Sequence, residues 1–413
     1  MAKKKISRYL DYLIELNIAL LIFAFSFINI VGWFNDLWKS LLIIWVLKKL
    51  ISTEKIKVSL PYSFNYLFFF ITAVILSCIF SGDIALSFNK ISYFMMGIGL
   101  CVVICDFFSH GEERIFRVIT YFIISTVLTS TDAIIHQLVF AKGGFGVSLS
   151  GSRATGFFSN PFHLSLWAGI GLFLAIFRLI ESSTKASKLI YLAFVIILGV
   201  AFLLSKTRAP WIAMAVTLFI ALFYVPNKKN ILKVALIIGT VTLIMIVFDN
   251  SMRERVVSII DQGDARWIIL EYSSRMIREN FTLMDWFVGR GPGLFKLEYA
   301  QLDLAKLQTV FTFPHMILLE LFYASGLLGV LTFLLWLVHY SFKLLYLLKE
   351  NTVNSYVKHV CLMPILILFI CFVNVPFFSR YFSFPFWFFT GASFYLLYRV
   401  NLLYRVKINN QKA

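Results

Sequence analysis

Apolar runs of about the length needed to cross a bilayer recur along the whole chain, and nothing else in the sequence limits its fold so tightly. They fall at roughly 11–33, 36–50, 63–80, 91–107, 115–137, 161–178, 188–204, 211–226, 231–248, 315–341, 359–377 and 382–398. With 60% hydrophobic residues, 14% charged and a mean hydropathy of +0.84, the chain holds more apolar sequence than a soluble core can absorb. The expected fold is an all-α polytopic membrane protein of about 12 transmembrane helices. The basic start, Met1-Ala2-Lys3-Lys4-Lys5, looks like the head of a signal peptide. The long apolar run behind it lacks a small-residue cleavage site, so it reads as an uncleaved first span.

The basic residues orient these spans. With the N-terminus inside, cytoplasmic segments hold 23 Lys and Arg against 6 in the short outer loops, which places both termini in the cytoplasm. The net charge of +17 therefore reports topology and contact with membrane lipids, and implies no nucleic-acid partner. All five cysteines lie inside apolar runs with no CxxC pair, which points to small buried hydrophobes and away from disulfides or zinc.

Three parts follow: helices 1–9 over residues 1–248, a large loop on the outer side over 249–314, which the resemblance given below makes periplasmic, and helices 10–12 with a cytoplasmic tail over 315–413. The loop holds nine acidic and eight basic residues, so it is near neutral. Asp264 is placed to cap a helix with a stripe of Trp267, Leu270, Ile277 and Phe281. Gly289-Arg290-Gly291-Pro292-Gly293 then breaks the chain, and a second helical stretch is expected around 297–309. That turn is not a Walker loop, because no Gly-Lys-Ser/Thr follows.

Several arginines fall on the outer side, where the charge bias disfavours them: Arg153, Arg208, Arg266, Arg290 and Arg380. Arg208 is the sharpest case, confined to a short polar stretch between two spans. A guanidinium there suits phosphate oxygens, since it binds them in pairs and keeps its charge; the plain alternative is snorkelling to headgroups or pairing with an acid. Arg290 stands in a turn that could be purely architectural.

His315 sits where the polar loop meets an apolar helix, and an imidazole can take a proton from a sugar hydroxyl near neutral pH. Glu320 lies about 140° further round that helix, which frees it to pair with an arginine instead. Asp132 with His136 reads as a proton relay or as a structural polar contact. No DxD-like cluster appears on the outer face, so neither a metal nor a cofactor is expected.

Three stretches together resemble the O-antigen ligase and polymerase superfamily, over essentially the whole chain in span count and loop placement. They are Leu204-Ser205-Lys206-Thr207-Arg208-Ala209-Pro210-Trp211; Arg266 with Glu279-Asn280 and the Gly289–Gly293 turn; and Pro314-His315, ten residues before Gly326 and followed by Gly329. Lys206-Thr207-Arg208-Ala209 stands where the family usually has Ser-Arg-Gly, and Met316 where it often has Asn. The resemblance implies an inverting, metal-independent glycosyltransferase of the bacterial inner membrane, active on the periplasmic side. Its donor would be a glycan on undecaprenyl diphosphate and its acceptor lipid A–core, with His315 as general base. Arg208 and Arg266 would bind the diphosphate, with Arg153 and Arg290 assisting. A polymerase joining carrier-linked repeat units is the alternative, and a lipid-linked glycan transporter a further one. A transporter would more often show internal repeats and broken, charged helices at the midplane.

Overall fold

The computed structural model describes residues 2–27, 33–51, 63–140, 153–224, 228–250, 253–254, 265–301, 312–349, 355–372 and 375–412. Among these residues the chain is helical, with no β-strand. The first nine helices are α1 (Ala2–Ser26), α2 (Phe34–Ile51), α3 (Ser63–Ile79), α4 (Ile84–Phe108), α5 (Glu112–Ile135), α6 (Pro161–Glu181), α7 (Lys185–Leu204), α8 (Arg208–Tyr224) and α9 (Lys228–Phe248). A π-helical turn at His136–Phe140 extends α5. Three short helices follow, α10 (Ala265–Asn280), α11 (Leu283–Val288) and α12 (Phe295–Gln301). The chain closes with α13 (Ile317–Lys349), α14 (Ser355–Val360), α15 (Met363–Cys371) and α16 (Arg380–Lys412).

Among the described residues, six helical segments are long and apolar enough to cross a membrane: Lys5–Ser26, Ile84–Phe108, Glu112–Phe140, Pro161–Glu181, Lys185–Leu204 and Ile317–Lys349. Phe64–Ile79, Arg208–Tyr224 and Lys358–Cys371 are apolar but shorter. The expected second span is α2, whose Asp36, Lys39, Lys48 and Lys49 lower its apolar content. The expected eleventh span is broken into α14 and α15 by a turn at Cys361 and Leu362. Pro364, which has no N–H, sits in the first turn of α15, where none is needed.

Packing follows sequence neighbours and then crosses them. α1 lies on α2 and α5, α6 on α7 and α5, α3 on α13, and α4 along α16. Rings of Phe25, Phe34, Phe122, Trp167 and Phe384 interlock at the centre. At the α4–α16 seam, Gly97 receives the Trp387 indole and Gly391 lies against the Cys101 backbone. Between helices in lipid such close approach supplies the attraction, since no hydrophobic force acts there. Outward-facing Ile43, Phe68, Leu189, Phe219 and Leu236 are all more than half exposed, a surface suited to hydrocarbon. At one end, Asp11 binds Lys48 and Arg114, Glu15 binds Arg117, and Asp106 binds Lys49, tying α1, α2, α4 and α5 together.

Over the insert, α10 and α12 build a second small core on α13 from Met276, Ile277, Leu294, Phe295, Tyr299 and Tyr323. The buried stripe of α10 is Ile269, Ser273, Met276 and Ile277, whereas Trp267 is 51% exposed. Of the expected stripe, Ile277 is buried and Phe281 packs on this core, while Trp267 lies outside, because contact with α13 favours the Ile269, Ser273 and Met276 positions. Asp264 and Asp261 lie outside the described residues, as does 302–309 of the expected second helix.

Candidate functional site

The α7–α8 connection is a tight turn. Ser205 N–H bonds the Ala201 carbonyl at 3.1 Å, and Lys206 N–H bonds the Leu203 carbonyl at 2.9 Å. Lys206 stands just past the helix end at φ 49°, a left-handed conformation normally given to glycine. Arg208 then opens α8, half-buried, with Pro210 in the first turn. Its charge adds to the positive end of the helix dipole, a combination that repels cations and attracts anions. Arg153 braces this turn from a distant segment. Its Nε donates to the Ser205 carbonyl at 3.0 Å and its Nη2 to Thr207 Oγ1 at 2.8 Å. Ala154 N–H reaches the Leu204 carbonyl at 3.1 Å, and Lys206 Nζ meets Asp249 Oδ2 at 2.7 Å at the end of α9.

His315 precedes α13 at φ 55°. Among the described residues, it and Lys206 are the two non-glycine residues with positive φ, and each lies in one of the motifs singled out above. Such conformations cost energy and persist where the surroundings over-determine them, which is common at functional sites. The imidazole stacks on the Phe313 ring with centroids 4.0 Å apart. Ile317 N–H donates to the Phe372 carbonyl at 2.9 Å and Glu320 N–H to the Met316 carbonyl at 2.9 Å, which fixes the helix start just behind it.

The Gly289–Gly293 turn docks onto a break in α13. Gly326 adopts φ 61° and ψ −165°, outside the helical region. The carbonyls this releases are taken by the turn: Arg290 N–H bonds Tyr323 O at 2.9 Å and Gly291 N–H bonds Ala324 O at 3.0 Å. A Cβ on Gly289 would lie 2.5 Å from the Gly326 nitrogen, so two glycine backbones meet here. Gly326 thus has a mechanical reason that the sequence alone did not reveal.

Arg290 belongs to this turn. Its guanidinium pairs with Glu298 at 3.0 Å and Asp285 at 3.3 Å, donates to the Asn280 carbonyl, and lies over the Phe281 ring. Burial alone would lower its pKa, but Glu298 and Asp285 outweigh that and leave it above the ordinary arginine value. Arg266 lies in the first turn of α10. Glu320, expected beside an arginine, is buried and accepts the Phe377 N–H at 2.8 Å. It has been recruited to hold the chain entering α16. Asp132 Oδ1 and His136 Nε2 are 3.3 Å apart, where α5 passes into the π-helical turn. Among the described residues no three His, Cys, Asp or Glu converge in a metal-binding group.

A cavity of about 530 Å³ opens beside the histidine segment, within the size range of ligand pockets. Phe313 and Pro314 form one wall, α4 another through Lys90 and Tyr93, and α12 a third through Lys296. Glu320, Arg380 and Tyr381 complete it. Arg380 lies over the Tyr381 ring at 5.3 Å, and the Tyr381 ring stacks on His163 at 3.5 Å. Sequence reasoning had noted Arg380 but not Lys90 or Lys296 as partners. The three come from distant parts of the chain, so no motif joins them.

Residues 192–334 match the family model described as O-antigen ligase. The match runs from within α7 to within α13, so it takes in the Lys206 turn, the glycine turn, His315 and Gly326. No curated protein matches the chain.

Proposed function

We propose, from the match of residues 192–334 to the O-antigen ligase family model, that the chain is a member of the O-antigen ligase and polymerase superfamily and acts as an O-antigen ligase. It moves a glycan from undecaprenyl diphosphate to a sugar hydroxyl of lipid A–core at the periplasmic face of the bacterial inner membrane. About twelve spans carry it, with both termini cytoplasmic and residues 249–314 as the periplasmic loop. In the reaction the acceptor oxygen attacks the anomeric carbon while His315 takes its proton. The anomeric C–O bond breaks on the opposite face, and the diphosphate leaves with the bonding electrons, which inverts the centre. Arg208 and Arg266 neutralise the departing charge, and Arg153 assists while holding the turn that presents Arg208. Since Arg290 is engaged by two carboxylates and a carbonyl, its role is to shape the loop. Neither a metal nor a nucleotide takes part.

The observation that carries this reading is the coincidence of strain with chemistry. Among the described residues, both left-handed non-glycine residues flank or are the groups that transfer would need, one beside Arg208 and one at His315 itself. A deletion strain examined on a lipopolysaccharide gel tests it. Loss of all long-chain material with carrier-linked polymer accumulating is the expected result; cores bearing a single repeat would make the protein a polymerase. Complementation by His315→Ala should fail with the protein inserted normally, since general bases typically contribute about 10²–10⁴ in rate. Full complementation would remove the base from the mechanism.

A further inference from the structure

We infer that the cavity beside His315 is a subsite for a phosphorylated sugar, held by Lys90, Lys296 and Arg380 against an aromatic wall. The inference rests on the transfer reaction above only in taking that sugar to belong to the acceptor.

Three cations and one carboxylate, Glu320, line the space, so its charge favours an anion. The walls are otherwise rich in rings, including Tyr93, Phe295, Phe313 and Tyr381. A bare phosphate would leave these faces and most of the volume unused. A sugar bearing a phosphate uses both: its C–H face lies on a ring, its phosphate meets the cations, and a hydroxyl can donate to Glu320. Arg380 is pre-organised for this by the Arg380–Tyr381–His163 stack, which costs it less freedom on binding than an unsupported side chain would lose. Guanidinium forks also pair with phosphate oxygens in a way that an ammonium does not. Lys90 and Lys296 are exposed and can close over the ligand from α4 and α12.

Continuity with the reacting group adds the second argument. Phe313 lines the cavity and stacks on His315, so an occupant lies one ring away from the imidazole. On the other side, His163 connects the stack to α6, whose preceding segment carries Arg153 and braces the Arg208 turn. The cavity thus lies on a chain of contacts that joins His315 to the Arg208 turn.

The test uses the full-length protein in nanodiscs of phosphatidylcholine, with glucose 6-phosphate and glucose as probes in isothermal titration. Glucose 6-phosphate should bind at least about tenfold more tightly than glucose, and Arg380→Gln should weaken it by about tenfold to a hundredfold, as loss of a charge-assisted contact does. Lys90→Gln/Lys296→Gln, both at exposed positions where folding is not at stake, should also weaken it. Arg275→Gln, at an exposed position of α10 that does not line the cavity, should leave it unchanged. Equal binding by the double lysine variant, or loss only in Arg275→Gln, overturns the inference. So does displacement of the probe by phosphatidylglycerol nanodiscs, which would make the cavity a lipid-headgroup site. Because turnover is not measured, normal glycan transfer by His315→Ala would sink the proposed mechanism and leave these binding results standing.

Discussion

Gly326→Ala isolates the contact between the glycine turn and α13. At φ 61° and ψ −165°, position 326 lies in a region open essentially to glycine, so alanine costs about 1–3 kcal/mol in backbone strain. Its Cβ would stand 2.6 Å from the Gly289 nitrogen and against the Phe287 carbonyl, both backbone atoms that cannot swing aside. Relief requires the turn to withdraw, losing the Arg290 and Gly291 amide bonds at about 1 kcal/mol each. The strain falls on the docked state alone and shifts the docking equilibrium by about 1–3 kcal/mol, a factor of roughly 5 to 150. Hydrogen exchange in nanodiscs, read on peptides spanning 283–301, should show the Arg290 and Gly291 amides exchanging faster by about that factor, with α4 and α16 unaffected. Gly199→Ala, in α7, is the control, because a Cβ there meets nothing within 4 Å. Unchanged exchange at 290–291 in a folded Gly326→Ala protein, or equal opening in Gly199→Ala, would refute the idea that the Gly289–Gly326 pair docks the loop.

Arg290→Gln should lower thermal stability, because Asp285 and Glu298 lose their shared cation, a loss of about 1–3 kcal/mol. Arg290→Gln that is fully stable but inactive would return the residue to direct substrate contact. Arg208→Lys should not restore transfer in a null strain, since a point charge cannot make the paired contact of a guanidinium with diphosphate; wild-type activity would demote Arg208 to a surface anchor. Transfer with purified enzyme, carrier-linked glycan and acceptor should persist in excess EDTA, because Arg153, Arg208 and Arg266 supply the positive charge the leaving group needs. Activity that vanished in EDTA and returned with magnesium would end the arginine mechanism.

How far the sequence reaches depends on the range of the interaction. Span positions could be read because a run of apolar residues reports its own environment, whatever surrounds it; α4, α5, α6 and α7 fall where the runs do. Arg208 stood out for a related reason: a cation in a short loop between two spans is costly wherever the rest of the chain lies. What failed to show was set by partners far off in sequence. The face of α10 that is buried depends on α13, so Trp267 was placed inside and lies outside. Glu320 was assigned to an arginine because the Phe377 amide, which it accepts, is 57 positions away. The left-handed residues were hidden more deeply still, since a lysine and a histidine stand where propensity would put glycine. Local rules disfavour those two choices, and tertiary contacts must hold them: the Asp249 pair and the Arg153 brace at one, the Phe313 stack and the Phe372 bond behind the other. Disagreement between local preference and observed conformation thus marks the same two segments that the chemistry singles out.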